Sequence, residues 1–321
     1  MSPETTEYKD GDAVLFGDQL YKALRVDPDA KTLQVVDPDG AVLPFAFSFQ
    51  DSNLRKIDLP QSQEVLVGVD SSDGAPPVCN LLRTGATHRL PHSTVFIGSD
   101  RGIPKQDKQG PNEDRACVSP ETGWAFAIDG MGGYGGGDVA ATILGYDLSH
   151  ELKEGSSRDL DRVLGFSGNR LQEALLHAPE QVDLKAGAVF AGCRILPHPE
   201  DFNKRIAQVV SRGDCRVTLV RNGQAFSLTT PDENSITKNP TKVWPLHNNE
   251  PLKVNEWEVM PGDIILAYTD GIGNCFTPEQ IVSYFVGRSM EAGIALLDAA
   301  VLMQMQLGHF DNRGLAAVLV E

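Results

Sequence analysis

The sequence is short of basic residues, of cysteine and of long apolar runs, and each shortage removes a class of function. Lys and Arg number 28 against 44 Asp and Glu, a net charge of −16, which repels phosphate backbones and anionic lipid. No nucleic-acid or membrane partner is expected, and the excess carboxylate is instead what divalent cations seek. The five cysteines, Cys79, Cys117, Cys193, Cys215 and Cys275, are odd in number and widely spaced, with no CxxC and no Cys/His cluster. That pattern fits a reducing compartment and excludes a thiolate zinc site. No run approaches the roughly 20 apolar residues of a membrane span. The stretch Met1 to Asp12 is polar and acidic, without the basic and apolar regions of a secretory leader. A cytoplasmic location is therefore expected. What is present, 41% apolar and 22% charged residues over 321 positions, describes an ordinary globular protein of about two domains.

Turn signals divide the chain unevenly. From Asp10 to Asp58, short apolar runs (Ala13 to Phe16, Gln19 to Val26, Leu33 to Val36, Val42 to Phe49) alternate with Asp27-Pro28-Asp29 and Asp37-Pro38-Asp39-Gly40. Residues 1–60 read as a small all-β, SH3- or Tudor-like module, able to bind a partner protein. Residues 61–91, with Gly74-Ala75-Pro76-Pro77, read as a linker carrying at most one strand at Glu64 to Val69. The remainder, 92–321, mixes longer strands with real helices. Strands are expected at Thr94 to Ile97, Trp124 to Ile128, Ala186 to Leu196, Arg205 to Val210, Ile264 to Tyr268 and Leu315 to Val320. A hairpin is expected around Asn222-Gly223, a dipeptide suited to a type I′ turn. One helix would place Val139, Ile143 and Tyr146 on one face with Asp138 as cap. A second would use Leu160, Val163, Leu164, Leu171 and Leu175, and two more lie between Pro278 and Gln306. Strand runs separated by helical pairs imply an α+β plan of two sheets with helices outside.

Four acidic pairs stand at strand ends or turns: Glu113-Asp114, Asp129-Gly130, Asp270-Gly271 and Asp311-Asn312. Asp-Gly is common in turns, and Asp29, Asp39 and Asp73 are ordinary turn residues. A carboxylate just beyond a strand and followed by glycine, however, sits at a sheet rim with a carbonyl exposed beside it. Several such carboxylates in one cleft repel unless cations lie between them. Hard, oxygen-seeking Mg²⁺ or Mn²⁺ suits that role, and two ions about 4 Å apart can hold a hydroxide between them.

The wording of these pairs adds a resemblance. Gly110-Pro111-Asn112-Glu113-Asp114, Ala127-Ile128-Asp129-Gly130-Met131-Gly132-Gly133 and Ser211-Arg212-Gly213-Asp214-Cys215-Arg216 resemble successive signatures of the metal-dependent type-2C (PPM) serine/threonine phosphatases, in bacterial wording. Pro261-Gly262-Asp263 leading to Thr269-Asp270-Gly271, and then Asp311-Asn312, resemble that family's late motifs. The resemblance implies an αββα sandwich of two antiparallel sheets flanked by helix pairs. It implies that Asp129 bridges two Mn²⁺ or Mg²⁺ ions, with Asp270 and Asp311 completing one site and Glu113 and the Gly130 carbonyl the other. Asp114 would orient water, and a hydroxide between the ions would attack a phosphoserine or phosphothreonine of a protein substrate.

The sequence also departs from the family. The arginine usual before the Glu-Asp pair is replaced by Lys105-Gln106-Asp107-Lys108-Gln109, leaving Lys108, Lys105 or Arg101 to hold the substrate phosphate. Asn274 stands where many relatives carry an aspartate that joins Asp214 at a third cation, so that site is expected to be weak or missing. Met131 occupies the place of a histidine found in animal relatives, and Gly187-Ala188-Val189 lacks the usual hydroxyls. These departures leave a second reading, a pseudophosphatase or adaptor that binds phosphoproteins without efficient turnover.

Overall fold

The computed structural model describes residues 13–16, 19–27, 30, 32–36, 47–48, 54–57, 83–100, 112–132, 136–176, 186–233, 240–246, 250–285, 292–307 and 311–321. Toward the N-terminus, β1 (Ala13–Phe16), β2 (Gln19–Asp27), β3 (Thr32–Val36), β4 (Phe47–Ser48) and β5 (Leu54–Ile57) pair antiparallel in the order β4-β3-β2-β1-β5. The run expected as Val42 to Phe49 is described only at Phe47 and Ser48, β5 was not anticipated, and the strand expected at Glu64 to Val69 lies outside the described residues.

Two further antiparallel sheets follow. The six-stranded one combines β6 (Arg83–Leu90), β7 (Ser93–Asp100), β12 (Arg216–Arg221), β13 (Gln224–Ser227), β15 (Ile264–Tyr268) and β16 (Arg313–Val320) in the order β13-β12-β15-β16-β7-β6. The five-stranded one combines β8 (Asp114–Ser119), β9 (Trp124–Met131), β10 (Gly187–Pro197), β11 (Arg205–Arg212) and β14 (Asn255–Val259) in the order β14-β11-β10-β9-β8. The linker expectation for residues 61–91 is corrected at its end, because Arg83–Leu90 is a full strand paired with β7. Its polar, glycine-containing sequence hid it, as an edge strand buried on one face needs few apolar residues. Pro91 and His92 form the turn, with His92 at φ 65°.

Alternation along each strand sends side chains to two different cores. In β9, Ala125 and Ala127 face the other sheet, while Trp124, Phe126 and Ile128 face α1 (Gly136–His150) and α2 (Ser157–Leu176). In β15, Ile265 and Ala267 face inward, while Ile264, Leu266 and Tyr268 meet α4 (Pro278–Phe285) and α5 (Ala292–Leu307). The core between the sheets includes many small residues, among them Ala116, Ala191, Ala207 and Ala316. Helices, two sheets and helices thus stack in four layers, as the strand and helix pattern implied.

The first of these helices differs from expectation. It buries Ala140, Ala141, Leu144 and Leu148 against the sheet, whereas Val139, Ile143 and Tyr146 are only half-buried. Asp138 does not act as the expected cap; it lies inside the first turn and pairs with the buried Arg115. The Asn222-Gly223 turn matches its expectation, with both residues at positive φ, 52° and 74°.

Candidate active site

The strand pattern that fills the core also delivers the acids. Asp129 continues the Ala125, Ala127 parity of β9, and Asp114 begins the Ala116, Val118 parity of β8. Both carboxylates therefore point between the sheets at one rim. They are also directly opposite each other in the β8–β9 ladder, an arrangement of like charges that opposes folding unless it is compensated. From the facing sheet come Asp270, in the single turn α3 (Asp270–Gly273) after β15, Asp214, just before β12, and Asp311, two residues before β16.

Each acid registers its neighbours. Burial pushes the Asp129 carboxyl well above the usual carboxylate range, and Asp114, Asp270, Asp311 and Asp214 all push it further. Asp114 is raised in the same way, by burial and then by Asp311, against an opposing hydrogen bond from Thr269. Burial, followed by Asp270, raises Asp214 to about 6. Burial also raises Asp270, which the nearby Arg216 opposes. The structure thus brings Asp114, Asp129, Asp214, Asp270 and Asp311 to one place. The Glu113 backbone is tied to the residue after Asp129, the Gly130 amide donating to the Glu113 carbonyl at 3.0 Å.

Backbone contacts lock the loops together. Asn312 Oδ1 accepts the Glu113 amide at 2.7 Å across 199 residues of sequence. The Asn112 side chain accepts the Asp114 amide at 3.1 Å and donates to Ser99 Oγ at 2.6 Å. A Cβ at Gly271 would lie 1.8 Å from the Asn312 carbonyl oxygen, so only glycine permits that approach. Asn274 Nδ2 donates to Asp270 Oδ2 at 3.0 Å; the amide supplies a donor where a carboxylate would have added charge.

The residues present fit hard cations in their chemistry. The donors are oxygens throughout, and Asp114 Oδ2 and Asp214 Oδ1 are buried without a hydrogen-bond partner. At Gly137 a Cβ would stand 2.6 Å from the Gly130 carbonyl oxygen and 2.7 Å from Glu113 Oε1, so two of the expected donors border a space that glycine keeps open. Among the described residues, no three acidic, histidine or cysteine side chains already converge as a finished ion site.

Lys105, Lys108 and Arg101 lie outside the described residues. Met131 is half-buried against the core between the sheets. Residues that the sequence reading passed over include Arg313 and Gln304, which are 0% and 2% exposed beside Asp311 and Gly271. A charge at the head of the apolar run Leu315 to Val320 was the available signal for Arg313; Gln304, on an otherwise apolar helix, was a weaker one.

Neither a family model nor a curated relative matches the chain. Solved structures do. The serine/threonine phosphatase PstP/Ppp of Mycobacterium tuberculosis aligns at 19% identity and TM-score 0.56, covering 75% of this chain and 100% of that one. The catalytic domain of PstP in complex with two manganese ions aligns at 19% identity and TM-score 0.55, over 74% and 98%. The PPM Ser-Thr phosphatase MsPP of Mycobacterium smegmatis, in complex with cacodylate, aligns at 17% identity and TM-score 0.55, again over 74% and 98%. The chain therefore shares the fold of these bacterial PPM serine/threonine phosphatase structures.

Proposed function

We propose that this chain hydrolyses phosphoserine and phosphothreonine in proteins with the aid of two divalent cations, Mn²⁺ or Mg²⁺. The observation that carries the reading is the meeting of Asp114, Asp129, Asp214, Asp270 and Asp311 at one rim, each of the other four raising the pKa of Asp129. Such a concentration of buried negative charge is costly without counter-ions, and a protein of the same fold is known with two manganese ions. Asp129, Asp270 and Asp311 would hold one ion, and Asp129, Glu113 and the Gly130 carbonyl the other. When bound, the ions supply acidity to the attacking water and positive charge beside the phosphoryl oxygens.

The protein's own groups do the positioning. Asp114, with Oδ2 open, is the acceptor that would orient the attacking water. Thr269, whose Oγ1 accepts the Gly314 amide at 2.9 Å, is the side chain that opposes the rise in the Asp114 carboxyl. A third cation beside Asp214 is weak, because Asn274 gives Asp270 a hydrogen bond and no additional charge. Lys108 or Arg101 would hold the substrate phosphate as a fixed positive charge.

The test is hydrolysis of p-nitrophenyl phosphate and a phosphothreonine peptide with Mn²⁺, Mg²⁺ or EDTA, beside Asp129→Asn. Turnover that needs the metal and falls at least 100-fold in the variant is expected. A folded protein with no turnover under either metal overturns the hydrolase reading in favour of a phosphoprotein binder. Residues 1–60 are proposed as a separate module that engages a partner protein. A chain beginning just before Arg83, which retains β6, would keep p-nitrophenyl phosphate turnover and lose activity on the client; equal activity on both rejects the module's role.

A further inference from the structure

Gln304, in the last turn of α5, touches both late acidic loops. Its Nε2 donates to the Gly271 carbonyl at 2.9 Å, and its Oε1 accepts the Asp311 amide at 3.4 Å. The same Oε1 accepts Arg313 Nη1 at 2.5 Å. Arg313 is itself fixed, its Nη2 lying 3.1 Å from Asp100 Oδ1 with the guanidinium wholly buried. Asp100 ends β7 and is the ladder partner of Arg313, so this anchor belongs to the sheet frame and not to the loops. The amide of Gln304 therefore has one possible orientation: oxygen toward the cationic fork, nitrogen toward Gly271. In turn it sets the distance between the turn that carries Asp270 and the turn that carries Asp311.

We propose that Gln304, oriented by the buried Arg313, is a positioning residue that holds Asp270 and Asp311 at the separation required for a shared divalent cation. The inference rests on the cation site proposed above. It adds a neutral residue that contributes no ligand atom and governs the affinity of that site through two hydrogen bonds. Arg313 contributes a second effect by lowering the carboxyl pKa of Asp114, so it is a less clean probe than Gln304.

Gln304→Met preserves the length and burial of the side chain and, without changing charge, removes both loop bonds together with the bond from Arg313. Mn²⁺ binding to the full chain, read by electron paramagnetic resonance of free Mn²⁺, is expected to weaken about tenfold. The Mn²⁺ concentration for half-maximal p-nitrophenyl phosphate turnover should shift by the same factor, while kcat at saturating Mn²⁺ stays within about threefold of wild type. A residue that merely stabilised the fold would lower the melting temperature in EDTA and leave the Mn²⁺ affinity unchanged. An unchanged affinity in folded Gln304→Met overturns the proposal. Should that variant fail to fold, Arg313→Lys decides. It keeps a charge opposite Asp100 and removes the fork that orients the amide, and the proposal expects at least threefold weaker Mn²⁺ binding; unchanged binding overturns it. Wild type that binds Mn²⁺ without turnover overturns the phosphatase reading alone. Wild type that binds no Mn²⁺ overturns both.

Discussion

Asp129 was legible from sequence because strand parity is a simple rule. Alanines at 125 and 127 mark the face that meets the other sheet, and the next residue of that parity inherits the direction. Gly271 was legible only as half of an Asp-Gly turn. Its second requirement, the Asn312 carbonyl oxygen 1.8 Å from where a Cβ would stand, joins segments that no local pattern connects. Gly271→Ala must part the two loops and is expected to destabilise the protein by roughly 2–3 kcal/mol. Gly165, on the exposed side of α2 with nothing within 4 Å of its missing Cβ, is the control. Gly165→Ala should stabilise by up to about 1 kcal/mol through helix propensity. Urea unfolding of both variants checks the pair, and destabilisation by both would refute the packing argument. Gln304 and Arg313 carry little local signal of a site, since Gly271 and Asp100, which tie them to the rest of the fold, are 33 and 213 residues away in sequence.

The start of α2 shows how an element is held by one side chain. Asp159 Oδ2 accepts the amides of Lys153, Glu154 and Gly155 at 2.9, 3.0 and 3.1 Å, and Oδ1 accepts from Arg162. Ser156 Oγ accepts the Asp159 amide and so caps the helix N-terminus. Burial opposes the charge on Asp159, but Arg162 and the three amides outweigh it and hold the carboxyl below its usual pKa. A depressed folded pKa means stability that is present above the unfolded value of about 4 and lost as pH falls through the folded one. Asp159→Asn should therefore cost about 1–2 kcal/mol at neutral pH and progressively less as pH falls below about 4, measured as urea midpoints at neutral and acid pH. An equal loss at both pH values would show that shape and not charge matters. Turn chemistry made the β12–β13 hairpin legible, through Asn222-Gly223. In α1 the half-buried Val139 and Ile143 pack beside the fully buried Ala140, Ala141, Leu144 and Leu148, so the apolar pattern marked the edge of the buried face and not its centre.

For the whole molecule, the two-sheet plan followed from alternation and the helix pairs, but β6 did not, since an edge strand of Arg, Thr, Gly and His carries little apolar signal. The acidic rim is a liability to the metal-free fold. Replacing Asp129 by Asn removes one of two opposed carboxylates in the β8–β9 ladder. In EDTA, Asp129→Asn is therefore expected to melt a few degrees above wild type. With millimolar Mn²⁺ the order should reverse, since only the wild type gains stability from the bound ions. Calorimetric scans in both conditions check this, and a variant less stable in both would contradict the idea of stored repulsion.

One strand also sets a timetable. Every other strand of the two sheets precedes β16 in the sequence, yet β16 lies between β15 and β7, in the middle of the six-stranded sheet. Until it inserts, the β6–β7 hairpin has no tie to the β12, β13 and β15 group within that sheet, and Asn312 cannot meet Glu113. Asp114 and Asp129 can pair in the β8–β9 ladder earlier, but Asp311 and Asn312 join them only with this strand. The two groups of strands in this sheet are therefore joined late, when β16 closes the gap between them.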